Sequence, residues 1–585
     1  MKRSSALFAL CAVLVVAAPA HARAPRNPFG VTVVRFTKQT TPAQMRTAVK
    51  QAGGDVVTDL SAINALAVAP LSRDFAARIG ANPHVVATFV DPVIAAAPGP
   101  DVDPSDGGVT GKNDPPLGSP GASFPDPWHD ATSFWGVTNP EGILQWEDNR
   151  MDVRAAWSRT LGDRSVRVAV LDTGVQGSHK ELLPNYDNQA SANEIPCNTL
   201  VQDYGAATVQ AFGLNDCSNG DTEGHGTWVA SRIAGAANGF ASNGIAPNVQ
   251  IAGYKVAASG FGGLSSWVAA GLFDACSHGV DLVNLSLGGY LDPNDAADVQ
   301  DYLFLTDAVA YCRARGTAVF SAAGNDHVRI DRVDVPLGGR SLRGVGLVDG
   351  GSGGFASTLP GSSSMAGSDL RGLLEVPGGL PGVVMVSATN NANGPAPADV
   401  PLRWTSHVGA RDQLTYYSSY GSRIDLAAPG GARRFNIPRY DGGPGDILYG
   451  GWGSLGALVG SGLLCTDPAT ASPLTFACFK VQGAAFGWLQ GTSMSAPSAV
   501  GVAALTLSTH PELRGRPDAL LARLRVTARR DLTNYMGAND PTNFAASLTG
   551  APCTTGYCHI DQVHPISFAD AYGAGLVDAA GAAAP

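Results

Sequence analysis

Two hydrophobic periodicities divide the chain. In residues 31–93, residues 31–36 predict a strand, 41–51 a helix, Gly53-Gly54 a break before a further strand, 63–68 another strand, 73–79 a second helix and 85–90 a last strand. That βαββαβ order predicts a small ferredoxin-like α+β unit. From about Gly142 the pattern changes: residues 166–171, 250–256, 280–285, 318–322 and 382–386 are continuous apolar runs separated by helical stretches. A strand buried on both faces has no polar side to alternate with, so these runs predict an α/β domain, a parallel sheet flanked by helices.

Three stretches interrupt the pattern. Residues 95–126 are rich in Pro, Gly, Asp and Ser and show no period, which predicts a linker. Residues 327–379 and 431–486 are Gly- and Ser-rich and read as loop insertions. The resulting domain plan is residues 27–97, a linker and processing region over 98–140, and a large domain over 141–583. The N-terminus carries Lys2 and Arg3, an apolar stretch over 6–18 and Ala20-His21-Ala22. These features predict a signal peptide over residues 1–22 and export, to the periplasm or the medium. The apolar stretch is too short for a bilayer and no other follows, so no membrane anchor is expected.

Composition changes the picture in two respects. Only 15% of the 585 residues are charged, and the net charge of -10 comes from 49 acidic and 39 basic side chains spread without blocks, so no nucleic-acid footprint is present. Loss of the leader removes Cys11 and leaves an even number of cysteines, which in an exported chain predicts disulfides. Near neighbours give Cys197 with Cys217, Cys465 with Cys478, and Cys553 with Cys558. Cys276 and Cys312, each near the end of a helical stretch, are either bridged or two buried thiols.

The chemistry lies in three segments: V-A-V-L-D-T-G around Asp172, G-H-G-T-W-V-A around His225 and G-T-S-M-S-A-P around Ser493. Asp172 follows a buried strand and so emerges at the carboxyl edge of the sheet. His225 stands between glycines where a helix begins. Ser493 stands at the start of an Ala/Val-rich helix, where negative charge is favoured. A serine nucleophile needs a base, and the base needs an acid to fix its tautomer. An α/β-hydrolase would require a G-x-S-x-G elbow and the order Ser, acid, His, which this chain lacks.

Together the segments resemble the signature blocks of the subtilisin-like serine proteases, which have the same chain order. The resemblance implies a serine endopeptidase with Asp172, His225 and Ser493 as its triad, protein or peptide substrates, and no cofactor in the chemistry. S-A-A-G-N at 321–325 is similar to the family's oxyanion block, which assigns Asn325 as a donor to the oxyanion. V-N-L-S-L-G-G at 283–289 is similar to the substrate-binding strand, so Ser286, Leu287 and Gly288 with Ala323 and Gly324 would wall the primary pocket. Residues 260–264, including Gly262, Gly263 and Leu264, resemble the opposite edge, where an extended peptide adds as a strand. N-A-L-A-V at 64–68 and N-P-H-V at 82–85 make the first unit similar to the family's propeptide, which acts as an intramolecular inhibitor. Glu181 and Asn238 occupy places where relatives bind a structural calcium through oxygens. The alternative is a catalytically silent secreted binding protein on the same fold.

Overall fold

The first helix begins where the sequence supplies a cap. Thr41 Oγ1 accepts the Gln44 N–H, the Gln44 side chain accepts the Thr41 N–H, Pro42 opens the first turn, and Gly53 ends the helix at φ 87°. The computed structural model describes residues 27–96, 133–134, 137–138, 145–258, 261–350, 354, 368–390, 412–432, 453–460, 479–481, 483–532 and 566–585. It places this helix, α1 (Pro42–Ala52), between β1 (Thr32–Phe36) and β2 (Gly54–Leu60), with β3 (Ala65–Pro70), α2 (Phe75–Gly80) and β4 (Val85–Val90) following. The strands pair antiparallel in the order β2-β3-β1-β4, the expected ferredoxin-like arrangement. Alternation along them gives the sheet two apolar faces. Val34, Leu66 and Val68 pack on Met45, Val49, Phe75 and Ile79 within the unit. Val33, Ala65, Ala67 and Phe89 join a core that contains Trp267, Leu272 and Phe304 of the larger domain.

A further strand, β5 (Val93–Ala96), follows β4 directly. Residues 95–96, assigned by composition to the linker, therefore belong to a sheet whose other strands come from the large domain. After two short helices, Trp146–Arg150 and Val153–Trp157, that domain contributes β6 (Arg167–Asp172), β7 (Ala192–Asn193), α3 (His225–Ala234), β8 (Gln250–Lys255), β9 (Gly263–Leu264) and α4 (Ser265–Ser277). It continues with β10 (Leu282–Leu285), β11 (Leu287–Leu291), α5 (Ala296–Ala314), β12 (Ala318–Ala322), β13 (Ile330–Leu337), β14 (Arg340–Val348) and β15 (Leu374–Val376). It goes on through β16 (Val383–Thr389), β17 (Leu426–Pro429), β18 (Ser454–Leu458), β19 (Phe479–Val481), β20 (Ala484–Leu489) and α6 (Thr492–Thr509), which the helices Pro517–Thr527, Phe568–Tyr572 and Ala579–Ala582 follow.

The central sheet is parallel throughout, in the order β17-β16-β12-β10-β6-β8-β7. Ala169 and Leu171 of β6 face the core beneath α4 and α5, while Val168 and Val170 face the core beneath α3 and α6. The segments read as loop insertions contain strands of their own: β13 and β14 form an antiparallel hairpin, and β18, β20 and β19 a three-stranded sheet. Frequent glycines hid these strands, which find their partners locally.

Two disulfides are present among the described residues. Cys197 is bonded to Cys217, with Cα atoms 5.5 Å apart, and Cys276 to Cys312 at 5.2 Å, which joins the end of α4 to the end of α5. Cys465, Cys478, Cys553 and Cys558 lie outside the described residues, as do the signal segment, Gly260 and linker residues 98–132. No helix among the described residues is long and apolar enough to cross a membrane.

Candidate active site

Asp172 is the last residue of β6, at the carboxyl edge of the parallel sheet. Its Oδ1 accepts the Thr173 N–H at 2.8 Å and stands 2.7 Å from His225 Nδ1, with both side chains buried. His225 is the first residue of α3, entered through Gly224 at φ 119°. A Cβ at Gly226 would lie 2.1 Å from Gly174 O and 3.0 Å from Asp172 Cβ, so glycine is what lets this helix start against the β6 loop. The approach is held by Asp221, which sequence reasoning missed although it stands just before the G-H-G motif. Its carboxylate accepts the N–H groups of Glu223, Gly224 and Thr227, each at 2.9 Å, and the hydroxyls of Thr173 at 3.0 Å and Thr227 at 2.7 Å.

These carboxylates set the charge of the imidazole. Burial, the largest influence on His225, opposes protonation, but the charge and hydrogen bond of Asp172, with Glu223 and Asp221 behind it, outweigh burial and raise the pKa to about 9. Glu223 is itself pushed up to about 7 by burial, against the pull of His225. His225 Nε2 has no hydrogen-bond partner among the described residues.

Ser493 is the second residue of α6, entered through Gly491. Helix α6 packs on α3, where Arg232 Nε donates to Ser498 Oγ at 3.3 Å. Ser493 Oγ donates to Ser286 O at 3.4 Å, and Ser286 Oγ donates to Ser493 O at 2.9 Å. Asn325 lies just beyond β12, with its Oδ1 accepting both the N–H and the hydroxyl of Thr492 at 2.9 Å. Those bonds orient the amide and leave its buried Nδ2 without a partner among the described residues.

The remaining cleft residues line a groove filled by the chain itself. β5 runs antiparallel to β9 on one side, Gly263 opposite Ile94 and Leu264 opposite Val93. On its other side it runs antiparallel to β11, Leu287 opposite Ala96 and Gly288 opposite Ala95. Gly262, at φ 86°, closes a tight turn with Ala258 just before β9. Ala323 N–H donates to Val386 O at 3.0 Å, and Gly324 N–H to Thr492 Oγ1 at 3.2 Å, which ties this wall to the start of α6.

Glu181 and Asn238 lie on neighbouring loops. Glu181 Oε1 accepts the Ser242 N–H at 2.9 Å; Asn238 Nδ2 donates to Lys180 O at 2.9 Å and its Oδ1 accepts the Phe240 N–H at 3.0 Å. They bring three side-chain oxygens, two of Glu181 and one of Asn238, of the roughly six to eight that calcium takes. Among the described residues no three His, Cys, Asp or Glu side chains cluster as metal ligands would.

Comparison with known proteins shows the family and the fold. The model of the subtilase family, peptidase S8, matches residues 163–550. An alkaline protease of Alkalihalobacillus alcalophilus is 33% identical over 190 residues, 32% of this chain and 41% of that protein. Subtilisin NAT of Bacillus subtilis subsp. natto is 25% identical over 372 residues, 64% of this chain and 62% of the relative. Among solved structures, the epidermin leader peptide processing serine protease of Staphylococcus aureus is 17% identical with a TM-score of 0.57, covering 94% of this chain and 97% of that one. Fervidolysin of Fervidobacterium pennivorans is 18% identical with a TM-score of 0.55, over 97% of this chain and 63% of that one. At these identities the structures speak for the fold.

Proposed function

The chain belongs to the subtilase family, and on that premise we propose that it is a secreted serine endopeptidase that cleaves peptide bonds through an acyl-enzyme and matures by removing its own propeptide. The observation that carries the proposal is the buried Asp172–His225 hydrogen bond of 2.7 Å at the carboxyl edge of the sheet, with His225 heading a helix that packs on the one whose start carries Ser493.

In this reading Asp172 fixes the His225 tautomer with its proton on Nδ1, which leaves Nε2 as the base. Ser493 Oγ turns from Ser286 O toward Nε2, gives up its proton and attacks the scissile carbonyl. Charge then develops on the carbonyl oxygen. The Asn325 amide, oriented by Thr492, and the Ser493 N–H at the head of α6 are the donors that stabilise it. The protonated His225 hands its proton to the leaving amine, and water admitted on the same side hydrolyses the ester by the reverse sequence. No cofactor enters these steps. A calcium held by Glu181 and Asn238 would act on stability alone.

Residues 27–97 form the inhibitory unit of the propeptide, and the cut falls in the linker that follows. β5 holds the two backbone edges that an extended substrate would use, and its unit is docked by the shared core, by Arg35 to Asp307 at 2.6 Å, and by Asp91 accepting the Ser266 N–H at 3.1 Å. Purified protein incubated with casein, with and without a serine-directed inhibitor, tests the proposal. Inhibitor-sensitive release of peptides is expected; no release from propeptide-free protein leaves the silent binding protein as the reading.

A further inference from the structure

Beneath the two glycine walls of the primary pocket lies an acid that the mechanism does not use. Glu375 stands in the middle of β15, opposite Tyr290 of β11, and is 2% exposed. Its Oε1 is 3.4 Å from where a Cβ of Gly288 would stand. Its Oε2 is 2.9 Å from where a Cβ of Gly378 would stand, and that point is 3.0 Å from Ala322 O. The carboxyl group thus lies between β11 on one side and the 322–324 wall on the other. Under Gly324, at 3.6 Å from its missing Cβ, is the Tyr290 hydroxyl, which donates to Asp326 Oδ2 at 2.6 Å.

This acid is buried without a basic side chain paired to it among the described residues. Gly379 N–H donates to Oε2, but among the described residues no basic side chain forms an ion pair with Glu375. Arg423, the cation that acts on it through space, gives its terminal nitrogens to Asp425 Oδ2, Leu380 O and Val383 O. A carboxyl group taken out of water in this way is stabilised strongly by a charge that comes to it. The glycines at 288 and 324 leave backbone where side chains would otherwise close the approach.

We propose that Glu375 is the specificity residue of the primary pocket and that the enzyme prefers substrates with Arg or Lys at the position whose carbonyl is attacked. The inference rests on the endopeptidase reading and names its substrate class. The cationic end of the side chain enters between Gly288 and Gly324 and meets Glu375, with the Tyr290–Asp326 pair adding negative charge at the wall.

The test uses active protein prepared from the full chain and peptides identical except for Arg, Lys, Leu, Ala or Glu at that position. kcat/KM for Arg or Lys is expected to exceed that for Leu by at least tenfold. In Glu375→Gln the Arg-to-Leu ratio should fall at least tenfold, and Glu375→Asp should retain part of it. Turnover without a basic preference, or a basic preference that Glu375→Gln leaves intact, overturns the assignment. The unaltered protein's profile decides the preference even if the variants do not fold. If no peptide is cut and a serine-directed probe fails to label Ser493, the endopeptidase reading falls and the pocket assignment with it.

Discussion

At the scale of single residues, the imidazole is surrounded by more negative charge than one triad carboxylate supplies. His225 must be neutral to act as a base, and its pKa is raised to about 9, so kcat/KM should climb with pH until about that value and give an alkaline optimum. Glu223 contributes to the rise, and Glu223→Gln, which removes its charge, should move the acid limb of the pH profile to lower pH. An unmoved limb would show that Glu223 does not act on His225. Asn325→Ala should retain the fold and lower turnover by about a hundredfold or more, the loss known for removing such a donor from a subtilisin rather than one calculated for this chain. Unchanged turnover would remove Asn325 from the mechanism. Asp172, His225 and Ser493 are legible in the sequence because glycine and small residues must surround groups that work at close range. Glu375 is not: L-E-V-P looks like any strand end, and only the approach of Gly288, Gly378 and Ala322 gives it a pocket.

At the scale of elements, what was legible depended on where each strand finds its partner. The buried parallel strands announce themselves as unbroken apolar runs, and the antiparallel unit by its alternation and the Thr41–Gly53 cap signals. β5 carries no such mark, because both neighbours that make it a strand lie more than a hundred residues further along the chain. The hairpin of β13 and β14 was concealed for the opposite reason, since its pairing is local and needs little hydrophobic length. Cys276 and Cys312, left open between bridge and buried thiols, clamp α4 to α5, the two helices on which the first unit docks. Closing a loop of this separation contributes about 3–4 kcal/mol on chain-entropy grounds. Replacing both cysteines by alanine should lower unfolding free energy by about 2–4 kcal/mol in denaturant titration and weaken retention of the propeptide. An unaltered midpoint would show that the bridge contributes no stability.

At the scale of the whole molecule, the chain in our reading encloses its own inhibitor and its own first substrate. Ser493→Ala should therefore accumulate as the proform after signal removal, since losing one hydroxyl barely disturbs packing. Processing of that variant at the wild-type site and rate, in a protease-deficient host, would show that another protease matures the chain. The basic preference inferred for the pocket narrows the site of the cut. Lys112 is the only Lys or Arg between Arg78 and Arg150, so N-terminal sequencing of mature protein should find Asn113 first, and Lys112→Gln should delay maturation. A different N-terminus with no response to Lys112→Gln would place the cut elsewhere.

The position of β5 between β9 and β11 has a consequence for when the enzyme wakes. While the tether is whole, the strand faces the groove at an effective concentration on the order of millimolar, which dilute substrate does not match. One cut turns it into an ordinary dissociable ligand, whose hold weakens as the volume into which it escapes grows. In the maturation we propose, the protein stays quiet when crowded near its place of synthesis and is released on spreading into an open medium, with dilution itself as the signal.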